Sequence, residues 1–198
     1  MITVRQIERH WQLRSYKRLA EELIAARTEA SFELEVADRP SFAAALALIR
    51  LDELCQSHLP LYGKLVRAVL SAQDRDGGWA DPVCTALCLR ALLLGNGDGE
   101  SITRGFTYLA NLQKEEGAWP AGPLRRMPAD PVGSAFILYQ LADSPRFREA
   151  VRLGDAIAWF DANAAVQGNA CRRLWEWVSL RCRPAVAPPP RLPSLFAA

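Results

Sequence analysis

Two short stretches hold the side chains best placed for chemistry: Asp81-Pro82-Val83-Cys84-Thr85 and Asp130-Pro131-Val132-Gly133-Ser134. Each opens on a carboxylate, follows it with proline and runs into a segment almost free of charge. A carboxylate at a helix start accepts the unpaired N–H groups of the first turn. The helix dipole favours its charge there, and proline suits the first helical position. Capping is thus the plain reading of both aspartates. If the chain catalyses a reaction, Asp81 and Asp130 are the first candidates for an acid or cation-stabilising role. Cys84 and Cys88 stand one helical turn apart on one face. Small buried hydrophobes explain them more simply than a metal or redox pair.

These residues sit in a chain of helices. Ser15 to Arg27, Pro60 to Gln73, Ser101 to Gln113 and Pro145 to Ala162 each place apolar residues on one stripe and charge on the rest. Pro40 to Leu54, Asp81 to Gly95 and Asp130 to Ala142 are apolar nearly all round, and Asn169 to Cys182 is mixed. No stretch alternates with a period of two. A helix without a wet face must be covered on all sides. Half-wet helices alternating with dry ones therefore predict two concentric layers, the dry ones inside. Gly95 is the expected stop of the second dry helix.

Bulk properties narrow the class. Half of the 198 residues are hydrophobic, 23% are charged and the net charge is +2. That composition fits a folded globular chain and exerts no strong pull toward nucleic acid. No run approaches the ~18 apolar residues of a transmembrane segment. The N-terminus is charged from Arg5 onward and has no apolar core of a secretory signal. Its basic residues, Arg5, Arg9, Arg14, Lys17 and Arg18, leave peripheral contact with an anionic surface open, although a wet helix face accounts for them. The odd set Cys55, Cys84, Cys88, Cys171 and Cys182 suits reduced thiols and a cytoplasmic location.

The segments repeat. Gln73 and Trp79 recur 40 residues later as Gln113 and Trp119, and the Asp-Pro-Val opening of residue 81 returns at residue 130. Arg104 to Trp119, "RGFTYLANLQKEEGAW", resembles the QW motif of terpene cyclases: a basic or small residue, Gly or Ala, an aromatic, then Gln and Gly-x-Trp. Val66 to Trp79, "VRAVLSAQDRDGGW", is a second match. From Leu61 to Ala142 the chain is similar to the squalene–hopene cyclase, terpene cyclase and prenyltransferase superfamily. The flanking hairpins match in helix rhythm only.

The resemblance implies an all-α fold, an α/α toroid-like array of inner and outer helices. The expected domain covers residues 1–182 as about four hairpins (15–54, 60–95, 101–142 and 145–182), with a Pro-rich tail at 183–198. Four hairpins are fewer than such toroids generally close with, so an incomplete ring is an expected form. Gln73, Gly78, Trp79, Gln113, Gly117 and Trp119 are read as structural clamps. The glutamine bridges orphan backbone groups of the next helix, the glycine permits a tight turn, and the indole lies over the neighbouring outer helix.

Chemistry in this superfamily lies in the hollow between inner helices. Class II cyclases carry Asp-x-Asp-Asp-Thr at an inner-helix start, where a protonated Asp begins a carbocation cascade. Here Val83 and Cys84 occupy the third and fourth positions, and Val132 and Gly133 do so in the other repeat. Protein prenyltransferases bind zinc through Asp, Cys and a later His. Asp81 and Cys84 are spaced one residue too far apart, and the only histidines, His10 and His58, fall on no matching inner helix. Neither a metal nor a cofactor is expected. The resemblance places Phe42, Cys84, Phe136 and Tyr139 along the hollow, where aromatic rings would stabilise cations. Arg125 and Arg126 would meet a diphosphate near its mouth. Core packing and a solvated loop pair are the alternative readings of these residues.

Two functions are therefore expected. One is a terpene cyclase-like or prenyltransferase-like protein that binds, and as an enzyme converts, a hydrophobic isoprenoid-like molecule between inner helices. The other is a non-catalytic helical scaffold that binds a protein partner through its concave face or tail. Assembly into a homo-oligomer is open under both.

Overall fold

The computed structural model describes residues 40–163 and 169–182. The expected first helix, the basic N-terminal residues, His10 and the tail 183–198 lie outside that set. Eight helices run through the described residues: α1 (Pro40–Glu53), α2 (Pro60–Ser71), α3 (Pro82–Leu94), α4 (Gly99–Leu112), α5 (Pro131–Leu141), α6 (Pro145–Ala150), α7 (Leu153–Asn163) and α8 (Asn169–Cys182). The fold is all-α. Among the described residues the only β pairing is an isolated antiparallel bridge between Pro120 and Ala129, at the base of the loop before α5.

The helices form two rows. α1, α3, α5 and α8 touch in series, each packed on the next. α2 lies against both α1 and α3, while α4 lies against α3 and α6. The division follows the texture of the sequence for α3 and α5, whereas α1, expected to be dry, buries only Ala44, Ala45, Leu48 and Ile49 and leaves Ala43 and Leu46 exposed. Every residue of α3 from Pro82 to Leu89 is buried, as is every residue of α5 from Gly133 to Leu141. α2 and α4 instead bury a single stripe, including Tyr62 and Val69 on one and Ile102, Phe106, Leu109 and Leu112 on the other. An unbroken apolar surface on α3 and α5 is removed from water only by neighbours on every side. A Cβ at Gly133 would collide first with the Asp130 carboxylate that caps α5 and would also lie 3.1 Å from Val83 Cγ2 of α3.

One helix stop is as expected from the sequence, at Gly95, and two other features differ. α4 starts at Gly99 rather than Ser101, because Asp98 caps it: its carboxylate accepts the Ser101 N–H at 2.8 Å. α3 stops at Gly95, yet the left-handed residue is Asn96 (φ 49°), and the Gly97 N–H closes back onto the Leu92 carbonyl at 2.8 Å. The expected single helix from Pro145 to Ala162 is two. Val151 is extended between α6 and α7, where Gln113 takes both backbone groups of Arg152.

No described helix is long and apolar enough to cross a membrane. The buried Cys84, Cys88 and Cys182 are free thiols.

Candidate functional site

The duplicated Gln–Gly–Trp stretches build the same device twice. Trp79 donates its indole N–H to the Val69 carbonyl at 2.7 Å, and Trp119 donates to the Leu109 carbonyl at 2.8 Å. Each indole therefore ties back to the last turns of the helix before it while its ring faces the following one. Trp79 lies against Gly105 of α4, where a Cβ would come within 3.1 Å of the ring. Trp119 stacks on Phe147 of α6, centroids 6.3 Å apart. Both rings are sealed from water, at 1% and 0% exposure, so each buries the full area of an indole at the joint between hairpins.

The glutamines close the same joints. The Gln73 amide donates to the Gly77 carbonyl at 2.8 Å and to the Ser101 carbonyl of α4 at 2.9 Å. Gln113 donates to the Gly117 carbonyl at 2.9 Å and to the Arg152 carbonyl at 3.1 Å, and its Oε1 accepts the Arg152 N–H at 2.8 Å. Only the second glutamine satisfies an orphan N–H, since Asp98 already holds that of Ser101. The left-handed position that pairs with Gly117 (φ 101°) is Gly77 (φ 93°). Gly78 does a different job: the Tyr108 ring lies over it, 2.6 Å from where a Cβ would stand.

The two Asp-Pro openings are equally matched. Asp81 Oδ1 accepts the Cys84 N–H at 2.8 Å, and Asp130 Oδ1 accepts the Gly133 N–H at 2.9 Å. Both carboxylates cap the first turns of α3 and α5. Four residues on from each aspartate, a buried hydroxyl accepts the backbone N–H of the staple tryptophan: Thr85 takes that of Trp79 at 2.9 Å, and Ser134 that of Trp119 at 2.8 Å. The staple and the cap are thus one hydrogen-bonded unit. The matching places of Thr85 and Ser134 at the ends of the two Asp-Pro stretches are the sequence signal for this bond, whose partner only the fold brings near.

The other sequence candidates divide between two places. Cys84 and Cys88 face α1, with Sγ atoms 3.9 Å from Ser41 Oγ and 3.8 Å from the Ser41 carbonyl oxygen, respectively. The Cys84 contact and burial push the Cys88 thiol up, so it stays protonated. Phe42, half-buried on α1, and Phe136, buried on α5, belong to the apolar core. Tyr139 marks the opposite end of α5. Arg181 of α8 donates to its carbonyl at 2.7 Å and lies over its ring, 4.4 Å from the centroid. Burial raises the Tyr139 phenol, and the nearby Arg181 and Arg90 oppose that rise. Arg125 and Arg126 are exposed on the loop before α5, whose carbonyls at Arg125 and Met127 accept from Lys114 Nζ at 3.3 Å. Among the described residues, no three His, Cys, Asp or Glu side chains gather as metal ligands.

Comparisons with protein-family models, with curated proteins and with solved structures find no match to this chain.

Proposed function

We propose that this chain is a terpene cyclase-like and prenyltransferase-like α/α repeat protein whose inner helices form a toroid-like arc and bind a hydrophobic, isoprenoid-like molecule. The observation that carries the reading is the duplicated staple. Trp79 and Trp119 repeat one set of partners, and so do Gln73 and Gln113, which supports a regular stacking of hairpins. Regular stacking brings α1, α3, α5 and α8 into one row in which α3 and α5 contribute almost wholly apolar side chains. Such a row suits a ligand that offers hydrocarbon and few polar groups. Binding is the function proposed. Acid-initiated conversion has less support, because both candidate carboxylates are engaged as helix caps.

A second reading, a scaffold for a protein partner, is favoured by a separate observation. Trp177 and Leu180 lie one turn apart on α8 and are 47% and 80% exposed, an apolar face of the kind that marks interaction surfaces.

Farnesol and geranylgeraniol separate the two readings. The full chain, released from mild detergent, is expected to bind either alcohol at about one molecule per chain by native mass spectrometry, with a saturable thermal shift. Absence of binding to both alcohols, together with loss of a co-purifying protein in Trp177→Ala/Leu180→Ala, would establish the scaffold instead.

A further inference from the structure

α1 carries no charge from Pro40 to Ile49, yet it buries only Ala44, Ala45, Leu48 and Ile49. Ala43 and Leu46 are exposed, and Phe42 and Ala47 are half-buried beside them. Helix periodicity sets these four residues on one side. An uncharged side open to water is costly at the end of a stacked row, where a terminal element needs a polar outer face.

The repeat shows what that side is shaped to meet. Phe42 and Leu46 follow Pro40 by two and six residues, as Cys84 and Cys88 follow Pro82 and as Gly133 and Ile137 follow Pro131. On α3 these positions face the preceding helix of the row, with the Cys84 and Cys88 sulfurs 3.9 and 3.8 Å from Ser41 oxygens. On α5, Gly133 comes close to Val83 of α3. α1 therefore presents the surface that an inner helix offers to its predecessor, and it is the first of the described helices.

The chain supplies an occupant. Thirty-nine residues precede Pro40 and enter at the start of α1. Within them, Ser15 to Arg27 places Leu19, Leu23 and Ile24 on one stripe and Arg18, Glu21 and Glu22 away from it. That pattern offers one side to α1 and another to water. As a helix, these 13 residues span ~20 Å, close to the ~21 Å of the 14-residue α1. The 12 residues from 28 to 39 reach up to ~40 Å when extended, enough to lay the segment along α1 in either direction. The C-terminal tail leaves from α8, the last helix of the row, and its prolines oppose a helix. A second copy meeting this side about a two-fold axis would bring Arg50, 61% exposed, toward its own counterpart. The segment instead brings Glu21 and Glu22.

We infer that residues 15–27 dock along the exposed side of α1 and close the inner row at its first helix. The inference rests on the open side of α1 and on the preceding sequence, not on the hydrophobic ligand proposed above.

Hydrogen exchange of the full chain, read by mass spectrometry, tests the docking, and sedimentation reads its association state. Amides of 15–27 are expected to exchange at least about tenfold more slowly than unstructured ones in a monomeric parent. Leu46→Glu on α1 and Leu23→Glu on the segment are each expected to abolish that protection while the amides of α3 keep theirs. Ala43→Glu, at the neighbouring exposed position, must give the same answer as Leu46→Glu. The inference is overturned if 15–27 exchanges freely in the parent, or if its protection survives the α1 variants. It is equally overturned by a dimeric parent that Leu46→Glu splits, because a second copy would then cover the side.

Discussion

Gln113 and Arg152 are bonded in both directions: the glutamine amide donates to the Arg152 carbonyl at 3.1 Å and accepts the Arg152 N–H at 2.8 Å. Thirty-nine residues of chain are closed by that one side chain, and the helix from Pro145 is divided where it binds. The Arg152 N–H is thereby withheld from the helix of Pro145, while its carbonyl also accepts the Ala156 N–H at 3.2 Å and so opens the next helix.

Gln113→Leu is therefore expected to cost about 3 kcal/mol, since it strands buried backbone groups as well as losing bonds. Gln73→Leu, which loses two bonds at a half-buried position, is expected to cost about 1–2 kcal/mol. Urea melts of the two variants measure the difference, and equal losses would refute the role of the Arg152 clasp.

Asp81→Ala and Asp130→Ala each remove a cap whose oxygen lies 2.8 or 2.9 Å from its N–H. Each is expected to lose about 1 kcal/mol, and Asn at either position is expected to recover most of it. A loss of the same size with Asn would show that the negative charge, rather than the acceptor, is what the site needs.

Gly117 and Gly154 make opposite predictions for the same substitution. Gly117 has φ 101°, and a Cβ there would stand 2.4 Å from the Asp155 carbonyl carbon. Gly117→Ala is expected to destabilise by at least about 2 kcal/mol. Gly154 lies in α7 with nothing within 4 Å of an added Cβ. Gly154→Ala is expected to stabilise by about 0.5–1 kcal/mol through helix propensity and a less disordered unfolded chain. Chemical denaturation of both variants reads the sign directly.

Alkaline unfolding tests the buried thiols. Burial pushes Cys182 up to about 11 from the ordinary 9.0. The folded chain then holds this proton after the unfolded chain has lost it, so stability is intact below pH 9 and falls as pH rises toward 11. The expected loss is on the order of 2 kcal/mol across that window. Cys182→Ala should flatten the slope, whereas a slope unchanged from the parent would assign the fall to other groups.

The sequence by itself determined the helical class and that α3 and α5 would be dry; α1, equally uncharged up to Arg50, buries only the stripe Ala44, Ala45, Leu48 and Ile49. It also located the joints between hairpins. Those properties are periodic: an uncharged run such as Phe136 to Tyr139 has no wet face in any packing, and Gln73 with Trp79 repeats at fixed offsets as Gln113 with Trp119. Asp before Pro is equally local, because a cap needs only its own first turn. The rest depended on residues far apart in the chain. The division of the helix from Pro145 follows from Gln113, 39 residues from Arg152. The bond from the Trp119 N–H to Ser134 crosses the loop before α5. Arg181 meets the carbonyl and ring of Tyr139, 42 residues away in the chain, only because α8 packs on α5. Local pattern decides which surface a helix must hide, but only the tertiary structure decides which distant polar groups share that hiding place.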